Sequence, residues 1–207
     1  MHWKAINKII GNIDIYWLDF ILKGHLADDA KVLDIGCGEG RNIQYLLQHD
    51  YDVFGVDIDP LAIKYLRLLA KANNTPSPLA RFQLMNAQKL LFPAQSFDVV
   101  ISSAVLHFSK SNDEFFCQWD EMLRVLKPGG LLFIRTMTDH FLENSANRDS
   151  TINQGVYKFP SGERRFLVSD ELMKNITLKG NVDWIEPSKY VNVSGSHTMG
   201  VFVLEKK

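Results

Sequence analysis

The stretch KVLDIGCGEGRNIQYL, which begins at Lys31, constrains the fold more than any other part of the chain. Its first five residues suit a buried strand, glycine then occupies positions 36, 38 and 40, and a helical pattern follows. A strand that turns this sharply into a helix places the turn at the carboxyl edge of a parallel sheet, where open α/β folds bind ligands. The spacing therefore predicts a fold class and the position of a site.

Apolar runs and helical patterns alternate along the middle of the chain. The pattern predicts strands at residues 31–35, 51–57, 81–85, 97–102 and 131–136, and helices at residues 40–49, 60–72 and 113–126. Ser169 is a typical N-cap for a short helix, and two later strands are predicted at residues 182–193 and 198–204. This order favours an α/β fold with a doubly wound, mostly parallel sheet.

The length of the chain favours one domain. With 207 residues, 46% of them hydrophobic, the chain can fill a single core, so we predict a single domain over residues 1–207. Apolar residues between Ile6 and Leu22 recur at helical spacing, which predicts an N-terminal helical cover over residues 1–26. Residues 139–166 are polar, rich in Asn and Ser, and longer than most irregular loops. We interpret them as a substrate loop.

Charge and cysteine content exclude several classes of protein. The 23 basic and 24 acidic residues nearly cancel, so no nucleic-acid partner is expected. Asp14, Asp19 and Lys23 interrupt the apolar N-terminal segment, which argues against a membrane span. Cys37 and Cys117 are too few for a disulfide framework and too scattered for a metal site, so a cytoplasmic protein without a metal is predicted. The sequence leaves the oligomeric state open.

The glycine turn and a later carboxylate together predict the ligand. Gly36 permits a sharp turn, and Gly38 lets a ligand lie against bare backbone, where exposed amides and a helix dipole favour an anionic group. Asp57 ends the second strand, 21 residues after Gly36, at a suitable distance to accept hydrogen bonds from ribose hydroxyls. The pattern therefore predicts an adenosine-containing ligand with an acidic end.

Two kinds of cofactor fit that description, and the motifs distinguish them. Dinucleotides normally require G-x-G-x-x-G, whereas this chain has G-x-G-x-G. The run LDIGCGEG resembles the first motif of the class I S-adenosylmethionine-dependent methyltransferases, and further resemblances follow in the family's order: VFGVDIDP at residues 53–60, NAQKLLFPAQSFDVVISSAVLHF at 86–108 and LRVLKPGGLLFI at 123–134. The resemblance covers about half of the chain. It implies a Rossmann-like, seven-stranded sheet with a reversed last strand.

The resemblance also implies the residues that bind S-adenosylmethionine. Asp34 would orient the amino group of the methionine part, Asp57 would hold the ribose, and Asn86 would face adenine. Many relatives carry Asp where this chain has Asn86, and an amide oxygen can accept the same hydrogen bond without the charge. The complete predicted cofactor site consists of Asp34, Gly36, Cys37, Gly38, Asp57, Ile58, Asn86, Ala87, Ser102 and Ser103.

The methyl acceptor is less closely defined than the donor. After the fourth predicted strand the chain reads SSAV, without the Asp/Asn-Pro-Pro-Tyr signature of enzymes that methylate nucleic-acid bases. We therefore expect a small-molecule acceptor, shielded by residues 1–26 and 139–166. His107 is the catalytic candidate, as a general base or only as a pocket wall. Arg164 and Arg165 either recognise an acidic substrate or are exposed charges that only keep their segment solvated.

Three other functions remain open at this level. A protein or RNA methyltransferase would share the cofactor site and differ only in its acceptor. A nicotinamide-dependent oxidoreductase would prefer a dinucleotide, and a non-catalytic adenosine-binding module would keep the pocket without turnover.

Overall fold

The computed structural model of the protein describes residues 2–140, 147–148, 155–179, 181–194 and 196–207. The α-helices in this part of the chain are α1 (Trp3–Ile10), α2 (Ile15–Leu22), α3 (Gln44–Gln48), α4 (Pro60–Ala72), α5 (Pro78–Arg81), α6 (Asn112–Val125) and α7 (Asp170–Leu178). One turn of 3-10 helix spans Leu106–Phe108. None of the helices in these ranges has the length and apolar character needed to cross a membrane.

The strands form one large and one small sheet. They are β1 (Lys31–Ile35), β2 (Asp52–Asp57), β3 (Phe82–Leu84), β4 (Phe97–Ser103), β5 (Leu126–Thr138), β6 (Asn147–Arg148), β7 (Val156–Lys158), β8 (Arg164–Phe166), β9 (Val182–Trp184), β10 (Lys189–Val193) and β11 (His197–Lys206). The large sheet has the order β10-β11-β5-β4-β1-β2-β3, and β9 pairs with β11 beside that path. The small sheet has the order β6-β7-β8.

The large sheet confirms the predicted fold class. Neighbouring strands from β3 to β5 pair in parallel, whereas β11 pairs antiparallel with both β5 and β10, which gives the reversed last strand. The described residues contribute eight strands to this sheet, one more than the prediction, because residues 182–193 form β9 and β10 instead of one strand. Pro187 lies between them and has no N–H group with which to continue a ladder.

Helices cover both faces of the large sheet, as a doubly wound fold requires. One core cluster contains α2, α3 and α4 residues, including Trp17, Leu46 and Leu66, and the other contains α6 and α7 residues, including Trp119 and Ile176. The carboxyl ends of β1, β2 and β4 therefore meet at one edge, between the two helical layers.

The N-terminal segment forms two helices with different relations to the core. The chain breaks between them at Gly11, whose φ is 60°, and Asp14 caps α2 by accepting the Tyr16 N–H at 2.9 Å. No residue of α1 is buried, whereas α2 places Trp17 and Phe20 in the core. The helix α2 is therefore an integral part of the sheet's cover.

Several predicted boundaries were wrong. The predicted helix at residues 40–49 begins only at Gln44, because the third glycine of the turn, with a φ of 87°, continues the turn to Ile43. The strand predicted at residues 131–136 begins earlier, at Leu126, because residues 128–130 lie inside β5, where its pairing with β4 shifts register between Phe97 and Val99.

Part of the predicted substrate loop is a small sheet instead of an irregular loop. Within residues 139–166, β7 and β8 form an antiparallel hairpin, and β6 pairs with β7. The hairpin is anchored to the large sheet because the Val168 N–H donates to the Met137 carbonyl at 3.0 Å. Residues 141–146 and 149–154 of the predicted loop lie outside the described residues. A role for this segment in binding a substrate stays a prediction.

Candidate functional site

The glycine turn after β1 is held against β2 by its own backbone. The N–H groups of Gly36 and Cys37 both donate to the Val56 carbonyl, at 2.8 and 3.1 Å. Gly36 has a φ of 68°, and a Cβ built on it would overlap the side chain of Val105. Gly38 also has a positive φ, 51°, but a Cβ there would meet nothing within 4 Å. The turn thus needs Gly36 for packing and leaves open space at Gly38.

The two glycines should therefore respond differently to alanine. Both substitutions force an L side chain into the left-handed region, at a cost of about 1–2 kcal/mol. Gly36→Ala also overpacks against Val105, so we expect its free energy of unfolding to fall by about 1–3 kcal/mol more than that of Gly38→Ala. Urea unfolding of the two variants measures the difference. Equal losses would contradict the close approach of Val105.

The hydrogen bonds of the backbone amides of Gly36, Cys37 and Gly38 contradict one prediction. They were expected to face an anionic group, but the Gly36 and Cys37 amides are bonded to Val56, and the Gly38 N–H donates to Asp57 Oδ2 at 2.8 Å. Because α3 begins only at Gln44, its N-terminus does not open directly on the turn either. The turn consequently offers space for a ligand, and the donor groups of these three residues are used within the protein.

Asp57 lies between the turn and the next helix. Its Oδ2 accepts the Gly38 N–H, and its Oδ1 accepts the Asp59 N–H at 2.9 Å. Asp59 caps α4 by accepting the Leu61 N–H at 2.8 Å, so its side chain is used within the protein. Each carboxylate oxygen of Asp57 has a second lone pair, so the group can still accept hydrogen bonds from a ligand.

A cavity of about 510 Å³ opens beside the turn and brings together predicted site residues from three strand ends. Its lining comprises Ile35, Gly36, Val56, Asp57, Ile58, Met85, Asn86, Ala87, Ala104, Val105, Phe108, Lys110, Glu114 and Gln118. Five of these, Gly36, Asp57, Ile58, Asn86 and Ala87, were predicted for the site. A volume of this size is typical of a small-molecule or cofactor site.

The far wall of the cavity was missed by the sequence analysis. It consists of Phe108, after β4, and of Lys110, Glu114 and Gln118 from the start of α6 and the segment before it. The sequence does contain one signal, because the first turn of α6, which Ser111 caps, is polar and therefore indicates an exposed position. Nothing in the sequence indicated that this turn would face β2.

Asn86 lies at the cavity with its side-chain oxygen already engaged. Its Oδ1 accepts the Gln88 N–H at 2.8 Å, and the residue is exposed. The oxygen keeps a second lone pair for a ligand amine. Its neighbour Ala87 is half-buried and has no side-chain group that could form a hydrogen bond.

Asp34 is the most unusual carboxyl group of the site. It lies on β1, only 2% exposed, and its Oδ2 has no hydrogen-bond partner among the described residues. Burial and, to a smaller extent, the nearby charge of Asp57 raise the pKa of Asp34, and Arg41 partly opposes them, which together gives a pKa of about 8. A buried carboxyl group without a partner suits a ligand that brings a positive charge or donors.

Cys37, Ser102 and Ser103 are buried at the same edge of the sheet. Burial, with the charges of Asp34 and Asp57, raises the pKa of the Cys37 thiol, so it is a poor nucleophile and packs as a small residue. The side chains of Ser102 and Ser103 do not line the cavity; the next residues of the chain, Ala104 and Val105, do.

His107 lies in the 3-10 helix behind the cavity wall. It is 6% exposed, its ring lies 4.5 Å from that of Phe108, and it is not among the lining residues. Burial, together with the positive charges of Arg165, His197 and Arg135, lowers the pKa of His107 to about 4. The ring is therefore neutral at pH 7. Its catalytic role stays a prediction.

The described residues contain no group of three or more His, Cys, Asp and Glu side chains arranged to hold a metal ion.

Residues 33–134 match the family described as a methyltransferase domain. Together with the relatives below, this match shows a methyltransferase domain over about half of the chain, and the sheet order agrees with the fold predicted for the class I S-adenosylmethionine-dependent methyltransferases. The family predicted from the four motifs is therefore confirmed.

Two curated relatives show how far the similarity extends. The uncharacterised methyltransferase YodH of Bacillus subtilis is 34% identical over 106 residues, which are 51% of this chain and 42% of YodH. A 2-methyl-6-phytyl-1,4-hydroquinone methyltransferase of Synechocystis is 29% identical over 154 residues, with 60% of this chain and 46% of the relative covered. The chain thus spans somewhat less than half the length of these relatives.

Solved structures resemble the whole fold. An S-adenosylmethionine-dependent methyltransferase of Methanosarcina mazei has a TM-score of 0.72 and 23% identity, covering 90% of this chain and 96% of that one. The 1,6-didemethyltoxoflavin-N1-methyltransferase of Burkholderia thailandensis, solved with 1,6-didemethyltoxoflavin and S-adenosylhomocysteine, has a TM-score of 0.67 and 19% identity, covering 90% and 75%. At these identities the likeness concerns the fold.

Proposed function

We propose that the protein binds S-adenosylmethionine in the cavity beside the glycine turn and transfers its methyl group to a small-molecule acceptor. The observation that carries this proposal is Asp34. Among the described residues, the Oδ2 atom of its buried carboxyl group has no partner and lies next to the glycine turn, and the methionine part of the donor carries an ammonium group that would supply one.

The other predicted residues take roles that fit their positions. Asp57 faces the cavity with lone pairs to spare and would accept the ribose hydroxyls. Asn86, Ala87 and Ile58 line the same cavity and would surround the adenine and the ribose. The open space at Gly38 would take the methionine part, and the end of β4 at Ser102 and Ser103 would offer a carbonyl to the amine.

The reaction needs little from the protein beyond alignment. The sulfonium group of the donor is already activated, so the site must hold the acceptor in line with the methyl group. Positioning of this kind supplies roughly 7–11 kcal/mol when the geometry is good. Since His107 is neutral at pH 7, it could take a proton from an acceptor that approaches from the β4 side.

The acceptor class is supported by relatives as well as by the cavity. The Synechocystis and Burkholderia proteins are named for small-molecule acceptors, and the cavity of about 510 Å³ has the dimensions of a small-molecule site. A cytoplasmic location follows from the cysteine content as a further proposal.

Binding of the donor should release a proton. At pH 7 the Asp34 carboxyl group, with a pKa of about 8, is mostly protonated, and an ammonium group beside it favours the ionised form. We expect close to one proton, about 0.9, to be released per S-adenosylhomocysteine bound at pH 7. Calorimetry in buffers of different ionisation enthalpy measures this number. Asp34→Asn should bind more weakly and release almost none.

A truncated ligand is the matched control. Methylthioadenosine lacks the amino-acid part, so it should bind both proteins without releasing a proton. Proton release that persists in Asp34→Asn, or that methylthioadenosine also causes, would contradict the role of Asp34.

The acceptor requires a separate experiment. We expect purified protein to produce S-adenosylhomocysteine with at least one member of a panel of thiol, hydroxyl, carboxyl and amine acceptors. Transfer of label only to protein or RNA in a cell extract would replace the small-molecule proposal. Tighter binding of NAD or NADP than of S-adenosylmethionine, or an absence of turnover with every acceptor, would support the oxidoreductase or the non-catalytic module.

A further inference from the structure

Cationic side chains gather next to the donor cavity, on the side where β4 and β5 end. The Arg165 guanidinium lies 4.8 Å from the centre of the Phe108 ring, and Phe108 lines the cavity. Arg165 belongs to β8, which packs against the 3-10 helix Leu106–Phe108. The hairpin thus brings a positive charge to the cavity wall.

A second guanidinium approaches from β5. Arg135 lies opposite Ser103 of β4 in the parallel register, and its side chain is 20% exposed. One of its terminal nitrogens lies 3.1 Å from Asp14 Oδ2, but its buried Nε has no hydrogen-bond partner among the described residues. The Nε–H of Arg135 is therefore available to donate a hydrogen bond.

The nearby acidic groups do not balance these charges. Asp14 serves both Arg135 and Arg41, which lies 3.4 Å from the same carboxylate oxygen, so one negative charge meets two positive ones. Arg165 pairs with Glu163 at 3.2 Å, but the Glu163 side chain is 58% exposed, and exposed pairs of this kind contribute little. Counted over the described residues alone, these three arginines face two carboxylates, so the positive charge is in excess.

Two buried polar atoms complete the arrangement. Ser103 Oγ and His107 Nδ1 have no hydrogen-bond partner within the described residues, although both residues are more than nine-tenths buried. Burial is the main cause of the lowered pKa of His107, and the charges of Arg165, His197 and Arg135 add to it, so these groups lie near the ring. A hydroxyl group without a partner and an imidazole near two guanidinium groups can donate hydrogen bonds to a carboxylate or phosphate oxygen.

We propose that the methyl acceptor carries an anionic group, and that Arg165 and Arg135 hold it at the β4–β5 edge with Ser103 and His107. This inference rests on the proposed function, because it places the acceptor beside the donor's methyl group. Of the two roles considered for Arg165, it favours recognition of an acidic substrate over a merely solvated charge. A carboxylate and a phosphate share the required chemistry, and the experiment distinguishes them.

The test uses three probes of similar shape and different charge: benzoate, phenyl phosphate and benzamide. Each is titrated into the protein saturated with S-adenosylhomocysteine, and the imidazole resonances of His107 are followed by NMR over a range of pH. We expect benzoate or phenyl phosphate to bind and to raise the pKa of His107, because an anion favours the charged ring. Benzamide should bind at least tenfold more weakly than the better anion.

Variants assign the effect to the guanidinium group. Arg165→Gln should weaken binding of the better anion about ten- to hundredfold, and Arg165→Lys should restore part of it. Arg164→Ala, at the exposed neighbouring position of β8, is the matched control and should bind as the unmodified protein does. Thermal unfolding of each variant checks that the hairpin is intact.

The outcomes separate this inference from the proposed function. If S-adenosylhomocysteine binds but neither anion does, or if benzamide binds as well as the anions, the inference is wrong and the proposed function stands. If an anion binds equally well to Arg165→Gln, the site lies elsewhere and the inference is also wrong. If S-adenosylhomocysteine itself fails to bind, the proposed function fails, and titration of the anions into the free protein still decides whether the anion site exists.

Discussion

Asp57→Ala is expected to weaken binding of S-adenosylmethionine roughly 10- to 150-fold. The substitution removes a carboxylate from the cavity, and hydrogen bonds to a charged group contribute about 1.5–3 kcal/mol each. Calorimetric titration of the variant and of the unmodified protein measures the loss. An unchanged affinity would exclude Asp57 from the donor site.

Part of the loss has a structural origin, and a control separates it. Asp57 also accepts the N–H groups of Gly38 and Asp59, so the alanine variant loosens the turn as well. Asp59→Ala removes only the cap of α4 and should cost about 1 kcal/mol of folding stability with little effect on binding. If both variants weakened binding equally, the effect would reflect the loop geometry and not a contact with the ribose.

Trp17→Ala should have the largest effect on folding, a loss of about 3–5 kcal/mol in the free energy of unfolding. Trp17 is fully buried, stacks on Phe20 at 4.8 Å and meets the edge of Phe133 at 5.3 Å. Its Nε1–H donates to the Asn42 carbonyl at 2.9 Å, directly after the glycine turn. The variant leaves a cavity under α2 and an unpaired buried carbonyl.

Two further tryptophan variants serve as comparisons for Trp17→Ala. Trp17→Phe keeps most of the packing and should lose less than Trp17→Ala. Trp3→Ala changes a residue that is 64% exposed on α1 and should stay within about 0.5 kcal/mol of the unmodified protein in denaturant unfolding. Similar losses for Trp3→Ala and Trp17→Ala would contradict the packing of α2 on the sheet.

Local patterns were sufficient to predict the frame of the site. A strand that ends in Gly36 and a second strand that ends in Asp57 are each visible over a few residues, and the sheet then necessarily brings the two ends together. The reversed last strand followed from the family resemblance. The Asp59 and Ser169 caps were predictable because a cap depends on contacts only two or three residues away.

Features that depend on contacts between distant residues were not predictable. The turn amides bond to the Val56 carbonyl, which lies 20 residues beyond Gly36, so they were wrongly expected to be free. Residues 156–158 and 164–166 pair as strands although the polar composition of their segment suggested a loop, because pairing with a neighbouring strand outweighs weak local propensity. The meeting of Arg165 with Phe108 depends on that hairpin and left no signal in the sequence.

The Asp14 carboxylate contacts residues from both proposed binding sites, the one for the methyl donor and the one for the acceptor. Its carboxylate caps α2 and also meets Arg41, beside the donor's turn, and Arg135, at the edge assigned to the acceptor. An anion that draws Arg135 away from Asp14 leaves that carboxylate to Arg41 alone, which changes the electrostatic surroundings of Asp34. By thermodynamic linkage, occupancy of either site then alters the affinity of the other by the same factor. We therefore expect binding at the proposed donor site and binding at the proposed acceptor site to affect each other.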